Sequence, residues 1–127
     1  MTVLWVALGS AIGGGGRYWL SGVIAHRVGE SFPWGTLTVN LLGSVAIGIL
    51  AALSAPEGRF LIGPQWRVFL MLGVLGGFTT FSSFSLQTLQ LAIDGEWWRA
   101  TGYVVGSVGL CLVGVWLGFA GAMSFNR

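Results

Sequence analysis

In the stretch GGFTTFSSFS, residues 76–85, two threonines and three serines alternate with three phenylalanines. Hydroxyls supply hydrogen-bond donors and acceptors, and an aromatic ring is negative over its face and positive at its edge. Phe81 and Phe84 stand three apart, as do Ser82 and Ser85, while Phe81 and Ser85 stand four apart. On a helix that spacing sets a ring-bearing face beside a hydroxyl-bearing one. Ring edges turned into a narrow path, with hydroxyls and an amide N–H replacing water, suit a small anion. A cation path would more naturally use carboxylates, yet the four acids, Glu30, Glu57, Asp94 and Glu96, all fall in loops. The structural alternative is that the rings pack and the hydroxyls join helices.

The residues just before this group carry a different signal. Gly76-Gly77 followed by Thr79-Thr80 is poor helix sequence, because glycine costs about 1 kcal/mol per residue and threonine is β-branched. A break there frees backbone carbonyls, which lipid tolerates only inside protein or beside a cavity. Such carbonyls are natural ligands for a small hard cation. Phe78 falls outside both groups and reads as packing.

Three further polar features interrupt apolar segments. Arg17 follows a run of four glycines; it either snorkels beside Tyr18 and Trp19, attracts anions in a vestibule, or links to backbone carbonyls. Asn40, in GTLTVNLLGS, either joins helices or lines a hydrated route. Tyr103, Ser107 and Cys111 recur at i, i+4 and i+8 and share one helical face, with Thr101 nearer the helix end. A serine in a membrane helix also has the option of bonding its own i−4 carbonyl.

The elements that position these residues follow from composition. The chain has 127 residues, 54% hydrophobic and 8% charged, against about 25% charged in a soluble domain. That inventory cannot build a soluble surface, so the chain reads as a single all-α integral membrane domain over residues 1–127. Four apolar windows, residues 3–25, 34–53, 66–93 and 98–123, meet the length a transmembrane helix requires. The third is long enough for a tilt or a break. Trp34, Trp66, Trp97 and Trp98 mark span ends, where aromatic rings favour the interface. The N-terminus lacks the basic residues of a signal peptide and reads as part of a retained span. A net charge of +2 without a clustered basic face excludes nucleic acid as a partner. The lone Cys111 excludes an intrachain disulfide.

Four spans place Arg59, Arg67 and Arg127 on one side and Arg27 and Arg99 on the other. Three against two is a weak positive-inside bias, open to either one orientation or insertion both ways. Glycine pairs of the small-xxx-small type, Gly9/Gly13, Gly73/Gly77, Gly102/Gly106 and Gly114/Gly118, favour close helix packing. Four helices make a thin monomer, which favours an oligomer.

Together, GTLTVNLLGS, GGFTTFSSFS and the early GGGGRYWLS resemble the Fluc (CrcB) family of bacterial fluoride channels, over essentially the whole chain. The resemblance implies an antiparallel, dual-topology homodimer in the bacterial inner membrane, with two fluoride pores and no enzymatic activity. It implies that Phe81 and Phe84 meet fluoride with their ring edges, flanked by Ser82, Ser85 and Thr80. Asn40 is implied as the pore asparagine, Arg17 as the first-span arginine, and Tyr103 and Ser107 as a polar track. The track's third member falls at Cys111, where a thiol bonds more weakly than a hydroxyl. A central sodium ion is implied at the backbone carbonyls of Gly76 and Thr79 of both subunits. Its function would be passive export of fluoride. The rivals are a non-transporting scaffold subunit and a small dual-topology multidrug exporter. The exporter needs a membrane-embedded carboxylate, which the sequence lacks.

Overall fold

The computed structural model describes residues 1–54 and 63–126. Most of those residues are helical, with no strand among them. Helix α1 (Thr2–Val28) ends at Gly29, whose φ of 86° is a left-handed conformation that favours glycine. Helix α2 (Trp34–Leu53) follows Pro33 and matches the second apolar window to the residue. The third window becomes two half-helices. The first begins as α3 (Pro64–Arg67), with Pro64 in its first turn, and widens into a π-helical stretch, Val68–Leu75. It finishes as α4 (Gly76–Phe78). The second half, α5 (Phe81–Ile93), starts after a break at Thr79 and Thr80. Helix α6 (Trp97–Asn126) completes the chain.

A tight closure joins α5 to α6. Glu96 N–H donates to the Leu91 carbonyl at 2.8 Å and Gly95 N–H to the Ala92 carbonyl at 3.0 Å. This is a Schellman motif, with Gly95 supplying the left-handed residue at φ 80°. The short turn forces α5 and α6 to run antiparallel as neighbours.

Three helices are long and apolar enough to cross a membrane: Trp34–Leu53, Pro64–Ile93 and Trp97–Phe125. Helix α1 has comparable length at 27 residues, but its glycine run and Arg17 dilute its apolar character. Large apolar side chains such as Leu8, Leu72, Val105 and Trp116 face outward, as lipid contact requires. The tryptophans expected at span ends, Trp34, Trp66, Trp97 and Trp98, are all exposed there. Glu57, Arg59 and Arg127 lie outside the described residues, so the charge comparison rests on sequence for them.

Without a hydrophobic drive between helices in lipid, backbones must approach closely to gain dispersion energy. Helix α1 packs on the first half-helix through such an approach: a methyl group on Gly9 would stand 2.6 Å from the Phe69 carbonyl oxygen. Helix α2 packs chiefly on α6, where a methyl on Gly118 would run into the Val45 carbonyl and one on Gly114 would reach 2.9 Å from Leu41. Three of the four glycine pairs therefore serve packing within the chain. Gly102 and Gly106 do not, for nothing lies within 4 Å of the position their Cβ would take.

Gly118→Ala is expected to destabilise the fold by about 1–3 kcal/mol through overpacking. Gly121→Ala, also in α6 but with open space around it, should leave the thermal unfolding midpoint in detergent level or raised. Equal loss in both variants would refute close packing at Gly118.

Candidate functional site

The break is held open by hydrogen bonds from two other helices. Thr79 (φ −88°, ψ 158°) and Thr80 (φ −150°, ψ 123°) are extended, so both interrupt the helical ladder. In lipid every orphaned peptide group needs a partner. The Asn40 amide of α2 supplies two at once: its Oδ1 accepts from Thr80 N–H at 2.8 Å, and its Nδ2 donates to the Thr80 carbonyl at 3.0 Å. Only one orientation of the amide satisfies both. Gly43, one turn along the same face of α2, leaves room for Thr79, whose methyl would clash with any Cβ there. The ring of Phe78 packs between Gly16 of α1 and Gly43 of α2, the packing role expected of it.

Each half-helix is also capped. Arg17 of α1 donates from Nε to the Gly77 carbonyl at 3.3 Å. This is the third of the roles open to it from sequence, and it places a cation at a helix C-terminus, where the dipole favours one. Thr79 Oγ1 donates to the Leu75 carbonyl at 3.0 Å. Thr80 is the N-cap of α5, its Oγ1 accepting from Ser83 N–H at 3.2 Å. The hydrogen bonds at the break also divert the usual donors of two of its carbonyls. An unbroken helix would give the Gly76 carbonyl the Thr80 N–H and the Thr79 carbonyl the Ser83 N–H. Asn40 takes the first donor and Thr80 Oγ1 the second. Gly76 and Thr79 are the two residues whose carbonyls the family resemblance implies as ligands of a cation.

Beyond the break, aromatic rings form a ladder. Phe81 and Phe84 have centroids 5.3 Å apart at 55°, and Phe84 and Tyr103 lie 5.0 Å apart at 54°. Phe32 meets Tyr103 edge-on at 5.4 Å. Phe81 is 76% exposed whereas Phe84 and Tyr103 are buried. The Tyr103 hydroxyl donates to Gln87 Oε1 at 2.8 Å. Gln87 was not singled out from sequence, although it sits one turn after Phe84 on the same face of α5.

Asn40, Thr80, Phe81, Phe84, Ser107 and Cys111 line one side of a recess of about 390 Å³ between α2, the break and α6; Gly76 and Thr79 border it too. Ser107 is buried, and its hydroxyl has no hydrogen-bond partner among the described residues. A second, polar cleft of about 1220 Å³ opens at the far end of α5, bordered by Gln87, Gln90, Asp94 and Arg99. Phe84 borders the recess and Gln87 the cleft, so the Phe84–Tyr103–Gln87 group stands between the two. Ser82 and Ser85 lie outside the recess: Ser82 Oγ lies 3.3 Å from Thr80 Oγ1, and Ser85 donates to the Phe81 carbonyl at 2.9 Å. The described acids, Glu30, Asp94 and Glu96, all sit at helix ends. Among the described residues no three His, Cys, Asp or Glu side chains gather as metal ligands.

Residues 4–119 match the family model described as CrcB-like protein, Camphor Resistance (CrcB). The chain belongs to the CrcB family. It is 62% identical over 123 residues to a protein of Opitutus terrae named fluoride-specific ion channel FluC, covering 97% of this chain and 93% of the relative. Proteins of the same name from Rhodospirillum rubrum and Paramagnetospirillum magneticum are 57% and 58% identical over 127 residues. Those matches cover 100% of this chain and 98% and 99% of the relatives. With its apolar helices, this CrcB-family chain is a multi-pass membrane protein.

The geometry makes Asn40 a structural residue of the break, whatever else it touches. Asn40→Leu removes both partners of Thr80, at about 1–3 kcal/mol per buried peptide group left unpaired. Thermal unfolding in detergent should show that loss for Asn40→Leu, and an unchanged midpoint would contradict the paired geometry.

Proposed function

We propose that this CrcB-family chain is a fluoride channel, passively exporting fluoride across the bacterial inner membrane. The observation that carries the reading is the unpartnered Ser107 hydroxyl in a recess walled by Phe81 and Phe84, with no described acid nearby. Fluoride is small and strongly hydrated, so a selective path must replace its water with donors. Ser107 Oγ–H supplies one. Asn40 Nδ2 carries a second hydrogen beyond the one given to Thr80, and positive ring edges of Phe81 and Phe84 add weaker attraction. The three relatives are named for fluoride specificity, which agrees with this donor set.

The finer architecture belongs to the same proposal. Helix α1 is the fourth span, and two copies assemble antiparallel, each chain inserting in either orientation. The open space around Gly102 and Gly106 and the 76% exposure of Phe81 support a second copy seated against these surfaces. The weak arginine asymmetry supports insertion both ways. A sodium ion fits the break, since oxygen ligands suit a small hard cation and the Gly76 and Thr79 carbonyls have lost their helical donors. Bound there, it would hold the break of one copy against that of the other by electrostatic attraction. Arg17, on the neighbouring Gly77 carbonyl, caps the helix end rather than the cation. Tyr103 orders the far end of the path through its bond to Gln87. Ser82 and Ser85 act, in this reading, on the pore face that the second copy completes.

The test is fluoride efflux from liposomes holding purified protein, read with a fluoride-selective electrode and repeated with chloride. Fluoride should leave and chloride should not. A scaffold subunit would pass neither ion, and a multidrug exporter would need an embedded carboxylate. Phe81→Ile and Phe84→Ile should each cut fluoride flux sharply with assembly unchanged by size-exclusion chromatography. Wild-type flux in the double variant would remove the rings from the path. Asn40→Asp should also abolish flux, because its charge repels the anion.

A further inference from the structure

Tyr103, Ser107 and Cys111 follow one another by single turns of α6. The proposed path uses the first two. The third is the chain's single cysteine, a free and half-buried thiol that lines the same recess as Phe81, Phe84 and Asn40. One turn before it, Ser107 is 6% exposed and its hydroxyl has no partner among the described residues. A buried hydroxyl left unpaired marks a place that a ligand or water must complete. The recess thus offers both a nucleophilic sulfur and an unsatisfied polar group, in a space of about 390 Å³.

We propose that Cys111 is a thiol-modification site in the recess wall, where a small uncharged alkyl thiosulfonate attaches and closes the path. This rests on the channel reading above. The Cys111 thiolate, its proton lost to buffer, attacks the divalent sulfur of the reagent. A new S–S bond forms, the bond between that sulfur and the sulfonyl group breaks, and methanesulfinate leaves with the electron pair. The cysteine sulfur is oxidised to a disulfide and the sulfonyl sulfur is reduced. The product places a methylthio group in the recess, one helical turn from Ser107, where it offers no donor to an anion. Because helix packing is dense and resists expansion, the added group takes space from the path. A hydroxyl at the same position would not react, so the thiol sets this sensitivity.

The experiment treats reconstituted protein with methyl methanethiosulfonate in mildly alkaline buffer, where thiolate is more abundant. Intact mass and fluoride efflux are read before and after. The expected result is one methylthio group per chain, with efflux falling about tenfold or more as the pore narrows. Dithiothreitol should restore both. A Cys111→Ser protein should show no added mass and no change relative to its own starting rate. An adduct that leaves flux unchanged would overturn closure of the path. A mass unchanged in the folded protein, under conditions that label the unfolded chain, would overturn the site itself. Absence of flux before treatment would count against the channel reading, and the mass measurement would then decide the site alone.

Discussion

A helix broken inside a membrane must find new partners for its peptide groups, because lipid supplies none. The pairing of the Asn40 amide with both the N–H and the carbonyl of Thr80 answers that demand. Much of the site follows from it. With Asn40 in place, α2 must approach the break closely, and Gly43 permits the approach. With Thr80 extended, its side chain is free to cap α5, which starts a new helix at Phe81. The direction of α5 then sets where Phe81, Phe84 and Gln87 point.

The two halves of the broken helix live in different surroundings. The first half is clasped by α1 through backbone contacts at Gly9, Gly13 and Gly77, and Arg17 caps its end. It is the fixed part. The second half packs less extensively, mainly on α6. Its contacts are side chains, Phe84 and Leu91 clustered with Leu37, Ala100 and Tyr103, and one hydrogen bond, Tyr103 to Gln87, rather than interlocked backbone. The half that presents carbonyls is thus the more tightly packed and the half that presents rings the less constrained.

Several features were legible from residue types alone. Glycine and threonine in succession mark the break because each weakens a helix for its own reason. The tryptophans mark helix ends, and the second apolar window coincides with α2. The face shared by Tyr103, Ser107 and Cys111 follows from helical spacing, and Ser107 and Cys111 do line one recess. Other features were not legible. Nothing in VFLMLGVL announces a π-helical stretch, since its apolar residues suit either helix. Gln87 gave no signal, because a polar residue near a helix end is ordinary until a tyrosine from another helix meets it. Four glycine pairs looked alike, but only contacts reveal that Gly102 and Gly106 face open space.

By itself, then, the sequence determined a membrane-embedded helical chain with one helix interrupted within residues 76–80, which the structure narrows to Thr79 and Thr80, and a set of hydroxyls and rings too polar for lipid. Those properties are local: propensity, hydropathy and helical spacing depend on neighbours in the chain. Only the tertiary structure decided which partner each polar group takes. Arg17 had three open roles and the fold places it on the Gly77 carbonyl, 60 residues away in sequence. Asn40 reaches Thr80 across 40 residues and takes the N–H that an unbroken helix would give the Gly76 carbonyl. Hydrogen bonds are short and directional, so which groups meet depends on how the helices pack, and spacing along one helix does not encode that.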